Sequence, residues 1–113
     1  MAKAKVNYPR RPLREILDIL SEECGEIVQA VGKSNRHGLD SRHPRTPLQD
    51  NRELLTRELG DLLAVLDVAI NAGLIDVNAL QQAKFAKLTA LKQWTHTIPQ
   101  KFIRHSGHVR ITA

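Results

Sequence analysis

Aromatic residues are scarce in this chain: two Phe, one Tyr and one Trp make up 4% of 113 residues. A core with so few rings must be filled by Leu, Ile, Val and Ala, which favours helix packing over a β-sandwich. The one cysteine, Cys24, excludes an internal disulfide. No apolar run approaches the ~20 residues that cross a bilayer, and the basic opening MAKAKVNYPRRP leads into no signal-type hydrophobic region. A cytoplasmic protein that does not engage a membrane is expected. Acidic residues are missing after Asp76, where six Lys or Arg remain. Also missing are a phosphate-cradling P-loop and a Ser-His-Asp grouping, so no covalent intermediate is expected. His37, His43, His96, His105 and His108 have no metal-ligand spacing and read as surface residues.

What is present reads as one domain over 1–113, with a basic arm at 1–11, a helical core at 12–94 and a basic tail at 95–113. Hydrophobic residues make up 42% and the net charge is +5. Leu13, Ile16, Leu17, Leu20, Cys24, Ile27, Val28 and Val31 follow the three-four spacing of an amphipathic helix. Pro12 suits its first turn, and it is expected to fade near Gly32–Ser34. In this reading Cys24 is a small apolar residue of the core stripe. The stretch 35–49 is basic and aperiodic. It reaches the ~12–15 residues beyond which passive loops are uncommon, which marks it as functional or disordered.

Asp50 followed by Glu53 signals the start of a second helix, and Gly73 its end. Asp76 caps a third helix reaching about Trp94, and the short connection predicts that helices two and three pack as an antiparallel hairpin. The tail alternates apolar and polar residues around Ser106-Gly107, the pattern of a short β-hairpin. The expected class is therefore all-α, an antiparallel helix bundle with a candidate C-terminal hairpin.

The chemistry lies in the carboxylates. Helix one carries Glu22-Glu23-x-x-Glu26 and helix two carries Glu58-x-x-Asp61. Residues three apart sit one turn above each other, so each pair can address one object. The second pair stands beside LGDLLAVLDVAI, a run apolar around most of its circumference and so buried on several sides. Carboxylates there are costly unless neutralised. Two acid pairs offer hard oxygen ligands suited to Mg²⁺. A di-iron bundle would want Glu-x-x-His, and no glutamate here has histidine three residues on. The alternative is that such pairs simply decorate solvated faces.

In order and on helices, Glu22-Glu23-x-x-Glu26 and Glu58-x-x-Asp61 resemble the EExxE…ExxD signature of the MazG-like all-α nucleoside-triphosphate pyrophosphohydrolases. Lys33, Gly38-Leu39-Asp40, Asn51 and Glu58-Leu59-Gly60-Asp61-Leu62-Leu63 are similar to short phage and bacterial members, over roughly 12–94. The chain departs from the pattern at His37, where a phenylalanine is expected before the loop glycine. The resemblance implies that Glu23, Glu26, Glu58 and Asp61 are metal ligands, with Glu22 an extra ligand or water-positioning acid. It implies an NTP or dNTP substrate split into monophosphate and pyrophosphate, Mg²⁺ with Mn²⁺ as substitute, and a homodimer or homotetramer. Some phage-type relatives trim purine deoxynucleotides, so dGTP is a first substrate candidate.

On helix three, Lys84 falls inside the apolar face of Leu80, Leu88 and Leu91, with Lys87 at its edge. Such lysines usually snorkel. The alternative, that both address substrate phosphates, is favoured by the likeness of Lys84-Phe85 to a family segment. Lys33 and Arg36 are further phosphate candidates. Trp94 reads as a cap on the bundle, with a base-stacking surface as the alternative. A competing reading, a helix-turn-helix module at Gly73 that binds nucleic acid, offers few base-reading side chains and leaves the buried acids unexplained. A catalytically inactive MazG-like interaction protein is a third reading, opposed by the presence of all five motif acids.

Overall fold

The computed structural model of the chain describes residues 6–105. Three helices dominate: α1 (Leu13–His37), α2 (Asn51–Asn71) and α3 (Val77–Trp94), with a small hairpin between the first two and a 3-10 turn at Gln100–Ile103. The architecture is mostly helical, as the aromatic-poor composition and the three-four periodicity imply.

The close pair is α1 and α2, packed antiparallel. Along α1 the least exposed positions are Leu13, Ile16, Leu20, Glu23, Ile27, Ala30 and Ser34, an unbroken three-four spacing that forms a single seam. On α2 the seam runs through Asn51, Leu55, Glu58, Leu62, Val65 and Ala69. The face that α1 turns to its partner is thus rotated from the stripe centred on Leu20 and Cys24. Cys24 is exposed, as are Leu17, Val28 and Val31. The apolar face of α1 is wider than one neighbouring helix can cover, and α2 takes the side that carries Glu23.

Helix one also runs past Gly32–Ser34 and stops at Gly38, whose φ of 93° ends the helical hydrogen bonding. Ser34 donates its hydroxyl to the Ala30 carbonyl at 3.0 Å, so it stays within the helix. The following stretch is ordered by a two-stranded antiparallel hairpin, β1 (Arg42–His43) with β2 (Thr46–Asp50), its register broken between Arg42 and His43. Among the described residues the strands therefore lie in and just past the 35–49 stretch. At the C-terminal end, Phe102 and Ile103 belong to the 3-10 turn and Arg104 and His105 to no strand; the expected hairpin from residue 106 on falls outside the described residues.

The first turn of α2 is fastened on every side. Asp50 accepts from the Glu53 amide at 2.8 Å, as its capping position predicts. The Asn51 and Arg52 amides donate to Ser41 and Leu39 carbonyls at 3.0 and 2.8 Å. Asn51 is buried, and its side-chain amide donates to the carbonyls of Gly38 at 2.8 Å and Lys33 at 3.4 Å. One side chain thereby ties the end of α1 to the start of α2. The far end of α2 closes at Gly73, φ 75°, with Gly73 and Leu74 amides donating to Ile70 and Ala69 carbonyls, a full Schellman motif.

Beyond that turn α3 does not fold back along α2, contrary to the expected hairpin; it packs on the 3-10 turn. Asp76 caps it at the Ala79 amide, 3.0 Å, and Phe85 stacks on His105 with centroids 5.5 Å apart. Trp94 is 76% exposed, so it is not a buried cap among the described residues. Only Ile16, Ala30, Ala69 and Ile103 are buried apolar residues, and no large side chain is fully enclosed among the described residues. Among the described residues no helix is long and apolar enough to cross a membrane.

Replacing Asn51 by alanine leaves the Gly38 and Lys33 carbonyls without that donor and is expected to cost about 1–3 kcal/mol, the usual penalty for an orphaned buried polar group. Urea denaturation at one fixed protein concentration checks this; a loss inside ~0.5 kcal/mol would place Asn51 among ordinary surface substitutions.

Candidate metal centre

Midway along the seam, where an ordinary helix pair would place leucine, α1 contributes Glu23 and α2 contributes Glu58. Asp61, one turn beyond Glu58, completes a cluster in which each residue brings a carboxylate oxygen within 4.8 Å of the others. Glu58 is buried, Glu23 half-buried and Asp61 exposed, so the cluster opens from the seam toward solvent. The antiparallel register creates this convergence: the Asn51 tether fixes one end, and Ile16, Ile19, Val65 and Val68 meet at the other.

Charge compensation is thin. Glu58 has one cationic neighbour, Arg57, at a long 3.5 Å, and that guanidinium is shared with the Gln49 side-chain oxygen at 3.1 Å. Oε2 of Glu23 is buried with no hydrogen-bond partner. Burial pushes the Glu23 carboxyl above the ordinary carboxylate range, and the charges of Asp61, Glu58, Glu22 and Glu26 push it further the same way. An enclosed oxygen that accepts nothing, inside a convergence of like charges, is costly unless a proton or a cation neutralises it. All the donors are hard carboxylate oxygens, which fits a small divalent ion and not a soft one.

The remaining expected site residues are distributed around this core. Glu26 is exposed and outside the three-residue cluster. With Glu58, Lys33, His43, Asn51 and Arg57 it lines an adjoining cleft of about 270 Å³. Glu22 is exposed next to Glu23. Lys33 and Arg36 line a second cavity on the hairpin side, of about 590 Å³. Lys84 is half-buried and Lys87 exposed on α3; among the described residues neither forms an ion pair with the acids.

A family model for the MazG nucleotide pyrophosphohydrolase domain matches residues 11–109. The chain belongs to the MazG family. Neither the curated proteins nor the solved structures include a significant match. MazG membership makes this a nucleotide pyrophosphohydrolase domain, of a family that generally depends on divalent metal, and the three-carboxylate cluster is the feature of this MazG chain on which such dependence can rest. Arg42, His43 and Arg57 also border the clefts, although no sequence periodicity singles them out. Arg57 precedes Glu58 directly, and Arg42-His43 lies in the basic, aperiodic 35–49 stretch; these are the signals the sequence carries for them.

The raised carboxyl of Glu23 predicts a direction for stability. A group whose folded pKa exceeds its unfolded one contributes stability that is complete below the unfolded value and is lost as pH rises through the folded value. The metal-free protein should therefore melt at lower temperature as pH climbs from the ordinary carboxylate range through the raised Glu23 pKa. Glu23→Gln should raise the melting temperature of the metal-free protein above that pH and flatten its dependence. Thermal melts in EDTA across pH 4–8 (about the range set by carboxylate titration) check this; parallel curves for wild type and variant would contradict it.

Proposed function

We propose that this MazG domain hydrolyses a nucleoside or deoxynucleoside triphosphate to the monophosphate and pyrophosphate, with Mg²⁺ held by Glu23, Glu58 and Asp61 and joined by Glu26. The observation that carries the proposal is the cluster itself, three carboxylates from two helices around a buried oxygen without a partner. When bound, the ion supplies charge neutralisation and Lewis acidity to the phosphoanhydride.

The protein supplies the rest. Water adds across the α–β anhydride: one P–O bond forms, the bridging P–O bond breaks, and pyrophosphate departs with the bridging oxygen. The proton lost by the water passes to a carboxylate, for which Glu22, adjacent to the cluster and exposed, is the candidate. Lys33 and Arg36 offer positive charge to the phosphates from the end of α1, and Lys84 and Lys87 are the α3 candidates. No side chain in the cluster is a nucleophile of the serine or cysteine kind, so a single displacement by water is the economical route. The purine deoxynucleotide dGTP is the first substrate to try.

The active form is proposed to be a homodimer or homotetramer. Val28, Val68, Phe85 and Trp94 are each half or more exposed, more apolar surface than single scattered residues on a monomer would account for. Light scattering at micromolar concentration should give a multiple of the 12.7 kDa chain; a monomer contradicts the assembly.

Incubation with each common NTP and dNTP in Mg²⁺ or Mn²⁺ should release pyrophosphate and leave the monophosphate, and EDTA should stop it. Glu58→Gln and Asp61→Asn should each reduce kcat by ~100-fold or more, as loss of a principal electrostatic element does. Orthophosphate as the first product, or turnover that survives EDTA, would sink the proposal.

A further inference from the structure

The cavity of about 590 Å³ under the hairpin is lined by Lys33, Arg36, His37, Ser41, Arg42 and His43 among others, and no carboxylate contributes to its wall. Among the described residues, none of Lys33, Arg36 and Arg42 is ion-paired with an acid. Cations gathered in one concavity repel each other and focus positive potential there, which draws an anion. The wall has no Phe, Tyr or Trp.

Two details make the place more than a charged surface. Arg42 donates one N–H, from Nη1, to the Pro47 carbonyl across the hairpin at 2.9 Å, which holds its guanidinium at the rim with further donors remaining. His43 accepts the Arg45 amide on Nδ1 at 3.0 Å. In the neutral ring the proton then resides on Nε2, which becomes a donor for an oxygen ligand. His43, Lys33 and Asn51 border both this cavity and the 270 Å³ cleft that reaches Glu26 and Glu58. Acids, cleft and basic cavity therefore form one graded trough.

We infer that this trough sets the direction of the substrate: the α–β anhydride lies at the acids, and the β- and γ-phosphates, later the leaving pyrophosphate, occupy the hairpin cavity. The nucleobase is left on the other side of the acidic cluster. This rests on the pyrophosphohydrolase reading for the identity of the ligand, while the preference of the cavity for a polyphosphate stands on its lining. Charge follows the same gradient, since the terminal phosphate carries the most negative charge and the cavity the most positive. Arg42 and His43 are in this view phosphate-binding residues.

The test is calorimetric titration of the full chain with inorganic tripolyphosphate, pyrophosphate and dGMP, each in Mg²⁺ and in EDTA. Arg42→Gln and Arg36→Gln should weaken tripolyphosphate and pyrophosphate by about tenfold or more, the loss expected when a charged hydrogen-bond donor is removed. Both should leave dGMP within about twofold. Arg36 has no hydrogen bond to the hairpin, so its variant separates lost charge from a loosened strand. The proposal is overturned if dGMP weakens while pyrophosphate does not, or if neither inorganic ligand responds to the two variants. Arginine-dependent tripolyphosphate binding in EDTA, in a protein that releases no pyrophosphate from any triphosphate, would keep the cavity and remove the pyrophosphohydrolase reading. Triphosphate hydrolysis with unchanged pyrophosphate affinity in both variants would do the reverse.

Discussion

The organising constraint of this molecule is the placement of two carboxylates, Glu23 and Glu58, at positions of a helix–helix seam that packing would give to leucine. A seam of this kind stabilises by excluding water, and the same exclusion makes each unneutralised charge expensive. The helices can stay together because Ile16, Ala30, Val65 and Ala69 grip on both sides of the acids, while Asp61 and the exposed flank keep the cluster in touch with solvent. The proposed cation, entering from that flank, would turn the weakest part of the interface into a cross-link between α1 and α2. Stability and chemistry thus draw on the same few atoms.

The surroundings make sense in relation to that cluster. The convergence depends on register, and register is set less by the apolar contacts, which slide, than by the directional bonds of Asn51 to Gly38 and Lys33. The same segment that fixes the register also forms the hairpin and its basic wall. Positioning of the acids and presentation of the cations are therefore mechanically connected, through Asp50, Asn51 and the first turn of α2.

Much of this was legible in the residues. Asp50 and Asp76 as caps and Gly73 as a stop are local signals, each decided by a backbone group that needs a partner or a φ only glycine adopts easily, and each holds in the structure. The convergence of Glu23 with Glu58 and Asp61 was legible because the acids fall on helical spacing, whereas Glu26, expected beside Glu23, lies outside the cluster. What misled was rotation: the stripe centred on Leu20 and Cys24 averages two adjacent apolar seams, and periodicity alone does not tell which one α2 covers. The course of α3 was not legible either, because a short connection limits where a helix begins and leaves its direction to partners. In the 35–49 stretch, strand pairing of a few residues with a broken register leaves no alternation to read.

The scarcity of enclosed side chains has a consequence for the protein in a cell. With Ile16, Ala30, Ala69 and Ile103 the buried apolar residues among those described, the proposed assembly would supply much of the free energy of folding and make folding a reaction of order higher than one. The folded fraction then rises with the amount synthesised. At low dosage newly made chains spend longer open to proteases before meeting a partner, so the level of enzyme would respond to expression more like a threshold than a straight line.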